Sequence, residues 1–220
     1  MDSSRSNDVD DRFFSNAASG LGKRERTLAA LLDAAVDVIG RKGMEAAKIS
    51  DMTTAAGLAN GTFYNYFQSK EEILHKVALD LAIEVSRRLD DQMTGINDGP
   101  TRVVTATSGF VDLVLNSPDW AAILLDAQEY VSTPPEGAFQ HLIADLTRGV
   151  EQEVFSTQID AFTLSQIVAL IGAAIHFQLK HGRDQTLTHR LCIHILRLLG
   201  MSKRNADSVT RNALARDIHI

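Results

Sequence analysis

The run ISDMTTAAGLANGTFYNYFQSKEEIL, from Ile49 to Leu74, constrains this chain more than any other part of it. Ile49 to Ala56 has room for about two helical turns. Gly57 supplies the positive φ that reverses the chain, and Leu58 plugs the corner. Asn60 to Tyr66 forms a second helix, and Ser69 caps a third through Glu72, an S-x-x-E capping box. Two short helices joined by a tight turn containing glycine make a helix-turn-helix.

The second helix carries the chemistry. Phe63 and Phe67 lie one helical turn apart, so they share a face and pack inward. Asn60 and Tyr64 share another face, with Gly61, Thr62 and Asn65 beside them. Small and amide residues let a backbone approach DNA, and amides pair with base edges or phosphates. Tyr64 and Tyr66 add hydroxyl donors for phosphate oxygens. A plain aromatic core helix explains the two phenylalanines but not the tyrosines and asparagines between them. Lys48 stands at the entry to the first helix, where its charge holds a phosphate. Thr53 and Thr54 lie mid-helix, one of them facing DNA, and Thr53 is carried as the contact. Lys70, beside free backbone N–H groups, makes a phosphate clamp or else an ordinary surface lysine.

Lys23 to Val77 resembles the N-terminal DNA-binding domain of the TetR (tetracycline-repressor) family. The matching segments are AALLDAAVDVIGRKG, ISDMTTAAGLANGTFYNYF and QSKEEIL, with G-T-F-Y-x-Y-F followed by S-K-E-E-I as the specific part. The chain departs from the family at Lys48, where a phosphate-contacting threonine is common. The resemblance implies an all-α protein with a disordered arm over 1–19 and a three-helix helix-turn-helix domain over 20–68. A helical effector-binding and dimerisation domain then covers 69–220. It also implies a homodimeric repressor that a small-molecule effector releases from a palindromic double-stranded operator. The alternative is a helical ligand- or protein-binding module with a degenerate DNA head.

Composition sets the bounds. At 220 residues, 45% hydrophobic and 23% charged, the chain is long enough for one or two domains with a full core. Four prolines suit an all-helical chain. A net charge of −6 is unlike a strongly basic, non-specific nucleic-acid binder. Between Gly20 and Asp80 eight basic residues face eight acidic ones, so any reading of DNA rests on local contacts. Cys192 is the only cysteine, which leaves no intrachain disulfide or cysteine cluster. There is no basic-then-apolar leader, and the apolar stretch Ile167 to Ile175 is too short to span a bilayer. The expectation is a cytoplasmic protein without membrane contact. No G-x-S-x-G, P-loop or H-E-x-x-H pattern occurs, and His189 with Cys192 reads as packing. Neither enzyme activity, cofactor nor metal site is expected.

Helical periodicity covers the rest: Lys23 to Lys42, ended by Gly43; Ser69 to about Asp91; Thr101 to Asn116; Trp120 to Tyr130; Glu136 to Phe155; Ile159 to Lys180; Asp184 to Leu199; and a weaker tail helix. Two of these, apolar on more than one face, suggest a dimer seam through Ile167, Leu170, Ile171, Ala174, Leu187, Leu191, Ile195 and Leu198. The resemblance places the seam there too, as a four-helix bundle, against the alternative of an intrachain core. By the same resemblance the middle helices enclose an effector pocket. Phe110, Trp120, Leu124, Tyr130, Phe139, His141 and Phe177 are its candidate walls, with His176 as polar partner.

Overall fold

A computed structural model describes residues 12–130 and 139–215. Among these residues the regular structure is helical, and no strand occurs. The helices are α1 (Phe13–Ala17), α2 (Lys23–Ala46), α3 (Ile49–Ala55), α4 (Asn60–Phe63), α5 (Lys70–Gln92), α6 (Gly99–Asn116), α7 (Pro118–Tyr130), α8 (Gln140–Glu151), α9 (Ala161–His181), α10 (Gln185–Leu198) and α11 (Lys203–Leu214).

The chain divides into two packed units, Met1–Leu79 with Asn116–Ser132, and Asp80–Leu115 with Thr133–Ile220. This differs from a single cut at residues 68 and 69. The division falls inside α5, and α7 returns to the first unit, where it packs on α2.

In the first unit, α2 buries Leu31, Leu32, Ala35, Val38 and Ile39 along one stripe. Its helical geometry breaks at Gly43, whose φ of 75° is open to glycine and strained for other residues. The turn after α3 likewise rests on Gly57 at φ 68°. Phe63 is fully buried and Phe67 nearly so, their rings 5.7 Å apart. Each such ring contributes about 1.5–3 kcal/mol by leaving water. Ser69 Oγ accepts from the Glu72 N–H at 3.2 Å, and the Glu72 carboxylate reaches back to the Gln68 N–H at 2.6 Å. The return arm of the box therefore lands one residue earlier than the motif suggests.

Two expectations change. Residues 12–19 are not a structureless arm: α1 lies on α2, and Phe14 is buried. The Asp33 carboxylate caps α1, accepting from the N–H groups of Phe14 and Ser15 at 2.9 Å each. Phe13 stands edge-on to Trp120 of α7, with centroids 5.7 Å apart. Residues 1–11 of the arm, and the break at 131–138, lie outside the described residues. Second, α8 ends at Glu151, short of Phe155. Glu153 takes φ 58°, and the N–H groups of Val154 and Phe155 turn back to the Gly149 carbonyl.

The second unit contains a buried charge cluster. Arg102 of α6 is 6% exposed and Asp145 of α8 is 1% exposed, and they form an ion pair. Arg102 also pairs with Asp90 and donates to the Met93 carbonyl at 3.0 Å. Burial pushes the Asp145 carboxyl up, while Arg102 and Arg148 oppose that rise.

Helix α9 is, among the described residues, the one helix long and apolar enough to cross a membrane, with mean hydropathy 1.6. The sequence stretch looked too short because Thr163, Ser165, Gln166, His176 and Gln178 interrupt it. Of these, Gln178 is buried and accepts from the Asp184 N–H at 2.9 Å.

Candidate nucleic-acid interface

The first unit carries the candidate contacts on the outer side of α3 and α4. Phe63 and Phe67 fill the inner side, so Asn60, Gly61, Tyr64 and Asn65 are left exposed and Thr62 half-exposed. Tyr64 is 61% exposed. A depression of about 550 Å³ is lined by Glu45, Lys48, Ser50, Asn60, Tyr64 and Lys70.

Thr53 corrects an expectation. It is fully buried, so it faces away from any duplex, and Thr54 is the exposed threonine of α3. The Thr53 hydroxyl bonds across the turn to Oδ1 of Asn60. The two residues meet because α4 packs on α3.

Tyr66 and Lys70 are also engaged differently from the sequence reading. The Tyr66 hydroxyl donates to the Arg24 carbonyl at 3.1 Å, and the Arg24 guanidinium lies 5.6 Å from the ring centroid. Tyr66 thereby ties the start of α2 to the recognition segment, and its hydroxyl proton is already committed. The Lys70 ammonium donates to the carbonyls of Met44, Glu45 and Ala47 at 2.7, 3.1 and 3.4 Å. Its three donors satisfy the end of α2, whose last carbonyls have no helical partner. Its charge still adds to the depression.

Lys48 stays exposed, with its backbone N–H on Asp51 Oδ2 at 3.2 Å. Asp51 also holds Lys42 at 2.8 Å, and this hydrogen bond, more than any other influence, keeps its carboxyl below the ordinary value. Sequence reasoning missed Asp51, although an acid three residues past the helix entry was a visible cue.

The remaining candidates divide between the two units. Trp120 is 5% exposed and Leu124 half-buried, both in the first unit. Phe110, Phe139 and His141 belong to the second, where His141 Nδ1 lies 3.3 Å from Asp90. The side chain of Tyr130 lies outside those described. His176 and Phe177 do not line an enclosed wall. Both are exposed on α9, where Phe177 stacks on His181 at 4.3 Å. Of the expected seam, Ile167, Ala174, Leu191 and Ile195 are buried within the single chain, so they serve its own core. Leu170, Ile171, Leu187 and Leu198 are half-buried. The exposed apolar side of α9 instead presents Phe162, Ala169, Ala173 and Phe177.

Residues 31–77, which hold α3, α4 and the depression, match the family model for bacterial regulatory proteins of the tetR family. That segment belongs to the tetR family. The uncharacterized HTH-type transcriptional regulator YvdT of Bacillus subtilis (strain 168) is 38% identical over 77 residues, 35% of this chain and 38% of that protein. The match therefore spans well under half of YvdT. The fatty acid metabolism regulator protein of the same organism is 22% identical over 146 residues, 63% of this chain and 75% of that protein. Among solved structures, RolR in complex with resorcinol matches with TM-score 0.69 and 23% identity, covering 86% of this chain and 94% of that one. FadR from Bacillus subtilis in complex with stearoyl-CoA matches with TM-score 0.59 and 20% identity, covering 78% and 97%. These two likenesses show the fold alone.

Proposed function

We propose that this tetR-family chain is a sequence-specific transcriptional repressor. It binds a palindromic operator as a homodimer and leaves it when a small-molecule effector binds. The observation that carries the reading is Tyr64. Of the other three rings in its run, Phe63 and Phe67 are buried and Tyr66 is half-buried, yet Tyr64 is held 61% exposed beside Asn60, Gly61, Asn65 and Lys48. Leaving a large ring in water forgoes burial free energy, and a duplex face would recover it.

The exposed Phe162 and Phe177 on a helix as apolar as α9 support a second copy as partner. Two recognition helices would then enter major grooves about 34–36 Å apart. Resorcinol on RolR and stearoyl-CoA on FadR support an organic effector here. Such a molecule must bind the DNA-incompetent state more tightly than the competent one. The chain performs no catalysis on this reading and works in the cytoplasm, with no cofactor or metal.

The test is a fluorescence-anisotropy titration of the full chain on DNA flanking its own gene, at several salt concentrations. Saturable binding that exceeds scrambled DNA, with Tyr64→Ala losing it, supports the reading. Equal binding to scrambled DNA there and in a genome-wide fragment selection would leave the chain a helical binding module with a degenerate head.

A further inference from the structure

We infer that the buried Thr53 hydroxyl sets which base Asn60 reads, by turning the amide so that its NH₂ group alone faces DNA. The inference rests on the DNA-binding reading above and adds a positioning residue to it.

A free asparagine side chain offers a carbonyl acceptor and an NH₂ donor, and an unconstrained amide can present both at once. The pair of them matches adenine, whose major-groove edge carries the N7 acceptor beside the N6 donor. Asn60 is not free in this way. Its Oδ1 is the partner of Thr53 Oγ1, and Thr53 is fully buried between α3 and α4. The Thr53 hydroxyl has one proton and three oxygen neighbours. The carbonyls of Ile49 and Ser50 lie at 3.2 and 3.3 Å, long for an O–H···O bond, and Asn60 Oδ1 carries no proton of its own, so in that pair only the hydroxyl can donate. The proton therefore goes to Oδ1.

The amide is planar, so an oxygen drawn inward sends the nitrogen outward. Asn60 itself is exposed and lines the same depression as Tyr64 and Lys48. What it offers the groove is thus a donor with no matching acceptor. Guanine, with acceptors at both N7 and O6, takes both hydrogens of that NH₂ group, whereas thymine offers O4 alone. Adenine would leave its N6 donor facing no acceptor, and cytosine would oppose donor to donor. Asn60 accordingly selects guanine over adenine at one position in each half-site.

The experiment is repeated selection of bound duplexes from a randomised pool by the full chain, followed by sequencing. Wild type is run beside Asn60→Ala, Thr53→Val and Thr53→Ser, with thermal melting of each. Asn60→Ala identifies the position that depends on the amide. There the wild type should favour guanine. Thr53→Val, which keeps the buried volume but frees the amide, should shift the guanine-to-adenine ratio about tenfold toward adenine, in the range of one good base contact. Thr53→Ser, which keeps the hydroxyl, should restore the wild-type ratio.

A wild-type preference for any base other than guanine at that position overturns the inference. So does an unchanged ratio in a folded Thr53→Val chain, or an Asn60→Ala chain with no altered position, while the DNA-binding reading stands in each case. A wild-type chain that enriches no sequence removes both. Should Thr53→Val melt below the assay temperature, the decision passes to the wild-type base identity and Thr53→Ser, which stand without it.

Discussion

The Lys70 ammonium lies 2.7 Å from the Met44 carbonyl, across 26 residues of chain, and bridges the end of α2 to the first turn of α5. The helix-turn-helix sits between those two anchors. A cation at the last carbonyls of a helix also meets the negative pole of its dipole. Lys70→Met should therefore cost about 1–3 kcal/mol of stability, as expected for charge-assisted bonds left unmade. Lys48→Gln should leave stability within about 0.5 kcal/mol. On DNA the order reverses: Lys48→Gln should lower the slope of log affinity against log salt by about one. Denaturant melts and salt titrations of the two variants check this. A lower slope for Lys70→Met alone would return Lys70 to the phosphate contacts.

The two tyrosines of the recognition segment should part in the same way. Tyr64→Ala removes an exposed ring, so the melting curve should stay in place while operator affinity falls at least about tenfold. Tyr66→Phe removes only the bond to the Arg24 carbonyl. It should cost about 1 kcal/mol of stability and leave the preferred DNA sequence unchanged. Melting and anisotropy on both variants decide the assignment.

The contrast shows what a linear sequence conceals. Gly57, Ser69 and the Phe63–Phe67 spacing act within a few residues of themselves, so the helix-turn-helix was legible from them, although α4 ends at Phe63, short of the expected Tyr66. Tyr66 and Lys70 find their acceptors at Arg24 and Met44, far along the chain, and a surface reading took both for phosphate donors. The cap on α1 comes from Asp33, with nothing near Phe13 to announce it, so the segment looked structureless. Thr53 and Thr54 are adjacent and chemically alike; only the packing of α4 on α3 decides which is buried. The buried seam residues failed for a related reason. Hydrophobic periodicity marks a covered face but not whether the cover is the same chain or another.

Cys192 is buried, and burial pushes its thiol up to about 12. In the folded chain it therefore stays neutral, and its contribution to stability is complete below the thiol's unfolded value. As pH rises past that value the unfolded state ionises first, so stability falls progressively toward pH 12. At neutral pH, iodoacetamide should modify the native chain far more slowly than the denatured one, since the thiolate is the reactive form. Mass spectrometry over time reads this. Equal rates would place the thiol at the surface.

Arg102 and Asp145 should be costly to separate. Asp145→Asn leaves the Arg102 guanidinium buried with half its charge balance gone, and should destabilise by about 3–5 kcal/mol. Replacing both by apolar residues of similar size, Arg102→Met with Asp145→Leu, should recover much of that loss, because neither charge is then stranded. A double-mutant cycle in denaturant melts measures the coupling. Independent, additive losses would mean the pair is not one electrostatic unit.

Helix α9 allows the two kinds of apolar residue to be told apart directly. Ile167 is fully buried in the single chain, whereas Phe162 and Phe177 are 69% and 50% exposed. Ile167→Ala should lower stability by about 2–5 kcal/mol through the cavity it leaves, and this cost should persist at any protein concentration. Phe177→Glu should do little to one isolated chain. If a second copy covers that face, the substitution buries an unpaired charge in the seam, and the dimer should dissociate at micromolar protein. Operator affinity should then fall with it, because only a dimer places two recognition helices on successive grooves. Sedimentation equilibrium of wild type, Ile167→Ala and Phe177→Glu separates these effects. A Phe177→Glu chain that remains dimeric would move the seam off this face of α9.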